Sequence, residues 1–211
     1  MNLQRFSCAD CSVVACRFSE IEKMPVFCMT ARCTQKEITE SIECYKDEQN
    51  NDVMQQAAIL LNESYGKLTR VEETIEFAKK MKFKKIGIAT CLTLSKESGV
   101  LVKIFRKNGF DVISTGCKVG MVSKTKIGIP KEYVSQGPNT CNPVLQAQIL
   151  NRAETDFNIV MGLCVGHDSL FYKYAEALTT TMVVKDIITG HNPVAPLYTC
   201  HSFYKKLLTE D

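Results

Sequence analysis

The sequence lacks the features that would place the protein in a membrane, outside the cell or on nucleic acid. No apolar run approaches the roughly 20 residues that a membrane-spanning helix requires. Residues 1–8 reach arginine and cysteine without the apolar core of a signal peptide, so we expect a cytoplasmic protein with no membrane partner. The 26 basic and 23 acidic residues leave a net charge of only +3 and are spread evenly, which argues against a nucleic-acid partner.

Histidine is scarce, with three residues, whereas cysteine is abundant, with 11. An odd number of cysteines without an export signal fits a disulfide framework poorly. A chain of 211 residues can also bury enough apolar surface to fold without disulfides. The composition therefore favours metal binding or thiol chemistry over disulfide cross-linking.

More than half of the cysteines lie before residue 45, in a stretch with little apolar periodicity. They are Cys8, Cys11, Cys16, Cys28, Cys33 and Cys44. Short loops between thiols are what zinc sites and cluster sites both need, so we predict that these six bind metal. Their spacing matches neither a plant-type ferredoxin nor a zinc ribbon, and the choice between zinc and an iron–sulfur cluster stays open.

The sequence predicts two regions, a cysteine-rich metal-binding lobe over residues 1–49 and an α/β domain with a helical lead-in over residues 50–211. In the second region, apolar residues spaced as on one helix face alternate with short apolar runs. The runs predict strands at 85–90, 111–115, 157–163 and 181–185. We therefore predict an α/β fold, a parallel sheet of about four strands flanked by helices. Residues 116–140 are predicted as an extended loop, and the chain from Pro193 onward as a terminal helix.

Four cysteines are predicted to lie at one edge of this sheet. Cys91, Cys117 and Cys164 each follow a strand, and Cys141 precedes the Asn142-Pro143 pair that is typical of a helix start. The carboxyl ends of parallel strands share one edge, where ligands bind, so these thiols should converge. Four thiolates suit zinc or an iron–sulfur cluster. The alternative interpretation is that each cysteine is a small buried hydrophobe.

Candidate catalytic groups are predicted at the same edge. They are Cys141, His167, Asp168, Lys185, Asp186 and His191. The histidines titrate near neutral pH and are candidate acid–base groups, the aspartates would orient them, and the lysine would neutralise an anionic substrate. Cys141 would be either a fourth metal ligand or a reactive thiol. Asp168 and Asn192 are also predicted to cap helices, and each of these residues has a plain structural interpretation as a loop, cap or ion-pair residue.

Several segments together carry a family likeness. They are Cys8-x2-Cys11-x4-Cys16, Cys141-Asn142-Pro143, Cys164-Val165-Gly166-His167-Asp168, Val184-Lys185-Asp186 and Gly190-His191-Asn192-Pro193-Val194. With them, the chain from about Cys8 to Leu208 resembles a family of uncharacterised, cysteine-rich predicted metal-binding proteins, found mainly in anaerobic bacteria and archaea. The resemblance implies metal binding by the cysteines and an anaerobic cytoplasm, and it carries over no activity.

The leading hypothesis is an iron–sulfur protein with a redox or Lewis-acid site at the carboxyl edge of the sheet. A 4Fe-4S cluster held by Cys91, Cys117 and Cys164 would leave one iron open to a small-molecule substrate or serve a redox partner. Two alternatives stay open: a zinc-stabilised binding or regulatory module without catalysis, and a thiol-based carrier of metal or sulfur. The sequence leaves the substrate, the reaction and the oligomeric state open.

Overall fold

The structure, a computed structural model, describes residues 8–134 and 137–209. It divides into two compact units after Ala58, within the second helix. The helices are α1 (Gln35–Glu43), α2 (Glu48–Ser64), α3 (Arg70–Lys80), α4 (Ser95–Lys107), α5 (Pro143–Arg152), α6 (His167–Tyr174) and α7 (Ala195–Tyr198). The strands are β1 (Lys85–Thr90), β2 (Asp111–Gly116), β3 (Phe157–Met161) and β4 (Leu178–Val183).

The first unit is a series of short 3-10 turns followed by α1 and the start of α2. Helix α1 begins at a capping box, in which the Thr34 side chain accepts from the Glu37 backbone and the Glu37 carboxylate accepts from the Thr34 backbone. Ala15 is the single buried residue in the described part of this unit, and apolar side chains such as Phe18 and Val26 are exposed. Because this unit buries so little apolar surface, we expect its fold to be weakly stable unless a cross-link such as a bound metal holds it.

The second unit contains a four-stranded sheet in the order β2-β1-β3-β4, with every neighbouring pair parallel. The predicted parallel sheet flanked by helices is therefore confirmed. From β1 the chain runs outward to β2 through α4, and it then returns through α5 to β3 on the other side of β1. The strand order reverses between β1 and β3, and ligands bind outside the carboxyl ends of strands at such a point.

Two apolar clusters cover the two faces of the sheet. On one face, Ile75 and Ala78 of α3 and Leu101 and Phe105 of α4 pack against alternate residues of the strands. On the other face, helices α5 and α6 cover the sheet, and the apolar cluster there continues to the strand ends and includes the thiols of that edge. The central strand β3 is buried along its whole length, as a strand covered on both faces should be.

The terminal helix and the fourth strand differ from the sequence-based predictions, whereas the loop over 116–140 agrees with them. The predicted terminal helix is wrong, since α7 has four residues and the described residues after it, up to 209, form turns and a short 3-10 segment. The fourth strand is predicted at 181–185, but β4 spans Leu178–Val183. The apolar spacing at Leu178 continues the pattern of the preceding helix, yet α6 ends at Tyr174. The described part of 116–140 is a loop as predicted, with two short 3-10 turns and one isolated bridge between Ser123 and Asn139.

Within residues 8–134 and 137–209, no helix combines the length and the apolar character that crossing a membrane would require.

Candidate functional site

Four thiols meet at the carboxyl edge of the sheet, which we call the thiol edge: Cys91, Cys117, Cys141 and Cys164. Cys91 directly follows β1, and its backbone N–H donates to the carbonyl of Met161 at the end of β3 (3.1 Å). Cys117 directly follows β2, and its carbonyl accepts from the backbone N–H of Asn142 (2.8 Å), the residue after Cys141. Cys91 and Cys117 are buried, whereas Cys141 and Cys164 are half-buried.

The Lys185 ammonium group joins two of these thiols. Its Nζ donates to Cys91 Sγ at 3.0 Å and to Cys164 Sγ at 3.4 Å, although Lys185 lies 94 residues from the first and 21 residues from the second. Cys91 and Cys164 follow β1 and β3, so the lysine lies at the point where the strand order reverses. Burial opposes the charge of Lys185, but the hydrogen bonds to the two thiols outweigh it and raise the lysine pKa.

Cys91 and Cys117 belong to one apolar cluster, Cys141 packs against that cluster, and the Cys117 thiol interacts with both of the other thiols. The hydrogen bond from Cys117 is the main cause that lowers the pKa of Cys91 to about 4. Burial opposes this decrease, and Lys185 and Thr93 add to it. The same kind of contact raises the pKa of Cys117 far above its ordinary range, because its proton stabilises both neighbours. The thiol edge thus pairs a protonated central thiol with two neighbours that favour the thiolate form.

Positive charge and a helix start surround Cys141. The hydrogen bond from Cys117 lowers the pKa of Cys141 to about 5, and the charges of Lys118 and His167 add to that effect against burial. Lys118 Nζ also donates to the carbonyl of Asn139 at 2.8 Å. The predicted helix start is confirmed, since Asn142 caps α5 by accepting from the Leu145 backbone (3.0 Å) and a proline follows.

A buried glutamine holds the segments of the thiol edge together. The side-chain Nε2 of Gln146, which is fully buried on α5, donates to the carbonyls of Thr115 (2.8 Å) and Thr90 (3.3 Å). These carbonyls immediately precede Gly116-Cys117 and Cys91. The side chain therefore ties β1 and β2 to the helix that follows Cys141. Sequence reasoning missed this residue, because a glutamine within a helix carries no signal of where its amide points.

The remaining predicted catalytic residues occupy two short segments. His167 opens α6, whose cap is Gly166 without a side-chain hydrogen bond, so the predicted cap at Asp168 is wrong. The Asp168 carboxylate accepts from the Ser169 backbone (2.8 Å). The His167 backbone N–H donates to the Cys164 carbonyl at 2.9 Å, which places the start of α6 beside the thiol edge.

Asp186 and His191 belong to a closed loop after β4. The Asp186 carboxylate accepts from the backbone of Ile188 (3.0 Å) and Thr189 (3.2 Å), and a hydrogen bond from the Thr189 side chain is the main cause of its lowered pKa. The Asp186 backbone N–H donates to His191 Nδ1 at 3.1 Å. Asn192 does not cap a helix, since α7 begins only at Ala195, so that prediction is wrong.

The six cysteines of the first unit do not form a recognisable metal site among the described residues. Cys8, Cys16, Cys33 and Cys44 are exposed, and Cys11 and Cys28 are half-buried. The Cys33 thiol donates to the Met29 carbonyl (3.4 Å) and the Cys44 thiol to the Glu40 carbonyl (3.5 Å), while the Ala31 backbone lowers the pKa of Cys28. Their role as metal ligands stays a prediction.

No three His, Cys, Asp or Glu side chains stand as a group able to hold a metal ion anywhere in the described ranges, the thiol edge included. Binding of one ion there would require side chains to turn. The abundance of cysteine remains compatible with metal binding, and no particular metal or catalytic role is established.

Comparison with known proteins identifies relatives without a defined activity. Residues 28–182 match the family model described as "Protein of unknown function (DUF1847)". The chain is also 44% identical over 182 residues to the uncharacterized protein MJ0455 of the archaeon Methanocaldococcus jannaschii, an alignment that covers 86% of this chain and 93% of the relative. The expected resemblance to an uncharacterised family that occurs in archaea is confirmed.

Proposed function

Because the chain belongs to the family of proteins of unknown function DUF1847, its function must be argued from its own residues, and we propose that the thiol edge binds a metal centre, an iron–sulfur cluster. Cys91, Cys117, Cys141 and Cys164 are the proposed ligands. The observation that carries the proposal is that four separate chain segments deliver four thiols to the edge where parallel sheets bind ligands.

The states of Cys91 and Cys141 support a metal centre over a purely apolar role, whereas Cys117 would have to give up its proton when the metal binds. Thiolate, not thiol, is the metal ligand, and the environment of Cys91 and Cys141 lowers both pKa values well below neutral. Thiols that only fill space at an apolar edge would keep their protons. The Lys185 ammonium group and the Lys118 side chain offset the negative charge that several thiolates at one place create.

The arrangement of the donors favours a cluster over a single zinc ion. Lys185 contacts both Cys164 and Cys91, and the Cys117 thiol interacts with both Cys91 and Cys141. A structural zinc site needs four donors around one point, whereas the thiolates of a cluster bind different iron atoms. Since no three such donors in the described ranges are grouped so that they could hold one ion, the four thiols are closer to the second requirement.

The chain's own residues would then define the chemistry beside the cluster. With all four thiolates bound, the cluster would supply a site for one electron; with Cys141 as a reactive thiol instead of a ligand, it would also leave one iron as a Lewis acid. Lys185 would hold an anionic substrate at the reversal of strand order. His167, whose backbone N–H donates to the Cys164 carbonyl, is the group that would accept or donate a proton there. His191 Nδ1 accepts a hydrogen bond from the Asp186 backbone, so only Nε2 of this imidazole could take such a role.

The experiment is purification of the full chain without oxygen, followed by measurement of iron, acid-labile sulfide, zinc and visible absorbance. We expect iron and sulfide in near-equal amounts in the wild type. The variants Cys117→Ser and Cys164→Ser should each lose most of the cluster absorbance. Cys200→Ser is the matched control, because Cys200 is a half-buried thiol in the turn after α7 and lies outside the thiol edge.

Two results would contradict the proposal. Colourless protein that holds only zinc would exclude the cluster. Iron and sulfide that survive both thiol-edge substitutions but disappear on replacement of Cys28 and Cys33 would place the metal in the first unit instead.

A further inference from the structure

The Lys185 ammonium group is placed between two thiols by a long and flexible side chain. Its Nζ lies 3.0 Å from Cys91 Sγ and 3.4 Å from Cys164 Sγ. Holding a lysine side chain in one conformation costs conformational entropy, and a mobile backbone beneath it would raise that cost further. The contact with both thiols therefore depends on how firmly the backbone is fixed on each side of residue 185.

The sheet anchors the chain before Lys185. Val183 is the last residue of β4, and its carbonyl accepts from the backbone N–H of Gly162 at 2.9 Å. Val184, which separates this anchor from the lysine, is exposed. A chain that is held on one side only can rotate about the bonds that follow the anchor, so Lys185 needs a second anchor after it.

His191 supplies this second anchor. Its Nδ1 accepts from the Asp186 backbone N–H at 3.1 Å, and its own backbone N–H donates to the Asp186 carbonyl at 2.6 Å. The Asp186 N–H belongs to the peptide group that joins this residue to Lys185. One histidine thus holds both peptide groups that flank the Asp186 Cα, and the first of them is attached directly to Lys185.

The backbone at this histidine adopts an uncommon conformation. Gly190 and His191 have φ values of +62° and +68°. Few residues other than glycine adopt the left-handed region, although histidine and asparagine do so more often than most. Such a conformation persists where the surrounding contacts stabilise it, and it is concentrated at functional sites. Here the two hydrogen bonds to Asp186 are the stabilising contacts.

The Asp186 carboxylate closes the same loop in a different way. It accepts from the backbone N–H groups of Ile188 (3.0 Å) and Thr189 (3.2 Å). These bonds stabilise the turn that follows Asp186, but they do not involve the peptide group next to Lys185. The link between this loop and the lysine backbone is therefore the imidazole of His191.

We propose that His191 is a positioning residue, which holds the Lys185 ammonium group against Cys91 and Cys164 by fixing the peptide group after the lysine. Its consequence for chemistry rests on the proposed function. Hydrogen bonds to the sulfur ligands of a cluster help to set its reduction potential, so His191 would act on that potential through Lys185. This role requires no proton transfer at the imidazole.

The test uses the full chain, stripped of metal with a chelator and kept reduced without oxygen, and it has two readouts. Hydrogen exchange of the Asp186 amide, measured by NMR, reports the bond to His191. Competitive labelling with a trace of acetic anhydride, followed by peptide mass spectrometry, reports the reactivity of the Lys185 amine. Lys103, an exposed lysine of α4, is the internal reference.

The variants separate the acceptor from the backbone conformation. His191→Gly tolerates the left-handed conformation but has no acceptor, so we expect both the Asp186 exchange and the Lys185 labelling to become about tenfold faster. In His191→Asn, Oδ1 can replace Nδ1 and the residue tolerates the same conformation, so both rates should stay near those of the wild type. His201→Gly, at an exposed histidine in the turns after α7, is the matched control and should change neither rate.

Three results would overturn the proposal. Faster exchange at Asp186 with unchanged labelling of Lys185 in His191→Gly would limit the histidine to its own loop. Rates in His191→Asn as high as in His191→Gly would exclude the acceptor role. Labelling of Lys185 as fast as that of Lys103 in the wild type would show, without any variant, that the lysine is not held. Since the protein is free of metal, a chain that binds no cluster can still show a held Lys185, and a freely reacting Lys185 does not contradict the cluster.

Discussion

Replacement of Lys185 by methionine is the most direct test of the electrostatics of the thiol edge. Methionine keeps most of the length of the side chain and removes the ammonium group, whose Nζ lies 3.0 Å from Cys91 Sγ. We expect the pKa of Cys91 to rise from about 4 in the wild type, because the thiolate loses its nearest positive charge. The pKa should stay below the ordinary value, since the hydrogen bond from Cys117 is the larger cause and remains.

The magnitude follows from the geometry. Two unit charges 3.0 Å apart attract by about 5.5 kcal/mol at an effective dielectric constant of about 20. Lys185 is only half-buried, so water screens the pair, and a hydrogen bond to a charged group is worth about 1.5–3 kcal/mol. At about 1.4 kcal/mol per pKa unit, the substitution should raise the pKa of Cys91 by about 1–2 units.

The pKa can be measured by NMR on metal-free protein labelled with ¹³C at cysteine Cβ, with Cys91→Ser used to assign the signal. Lys103→Met is the matched control, because Lys103 is an exposed lysine of α4. The reasoning is refuted if Cys91 titrates identically in the wild type and in Lys185→Met. It is equally refuted if Cys91 has an ordinary thiol pKa in the wild type.

Three further predictions concern stability, each measured by urea unfolding of metal-free protein. The free energy of unfolding should rise as the pH increases from about 5 to about 9, because the unfolded chain keeps the proton that folded Cys141 has lost, and Cys141→Ser should flatten this rise. Gln146→Leu removes the donor to two buried carbonyls and should cost about 2–4 kcal/mol, whereas a cost near zero would show that the amide does not hold the strand ends. Gly162→Ala should cost about 2–4 kcal/mol, because φ is +64° and a Cβ would lie 2.1 Å from Leu94 Cδ1, while Gly99→Ala, with open space around it, should not destabilise.

The strand ends could be predicted because short-range signals mark them. Cys91, Cys117 and Cys164 each follow an apolar run, and the alternation of runs with helical patterns makes the strands parallel. Parallel strands place their carboxyl ends at one edge whatever the strand order is. Asn142 and Pro143 mark the start of α5 by the same kind of local signal.

The errors lie where local signals are weak or misleading. His191-Asn192-Pro193 has the composition of a helix start, but the hydrogen bonds between Asp186 and His191 close a loop there instead. Helix α1 is not predicted from the sequence although Thr34 and Glu37 form a capping-box pattern, because Ile38 and Ile42 are the only apolar residues of the segment. A pattern of a few residues predicts whether a helix starts there only where tertiary contacts do not favour another conformation.

The sequence by itself determined the class of the fold, the edge at which its thiols gather and the richness in cysteine that makes metal binding plausible. These follow from periodicity and chain direction, which are local. Only the tertiary structure decided the order of the strands, the contact of Lys185 with Cys91 and Cys164, and the packing of Cys141 against the cluster that contains Cys91 and Cys117. Those properties depend on distances between segments far apart in the chain, and packing sets these distances, whereas local residue patterns do not.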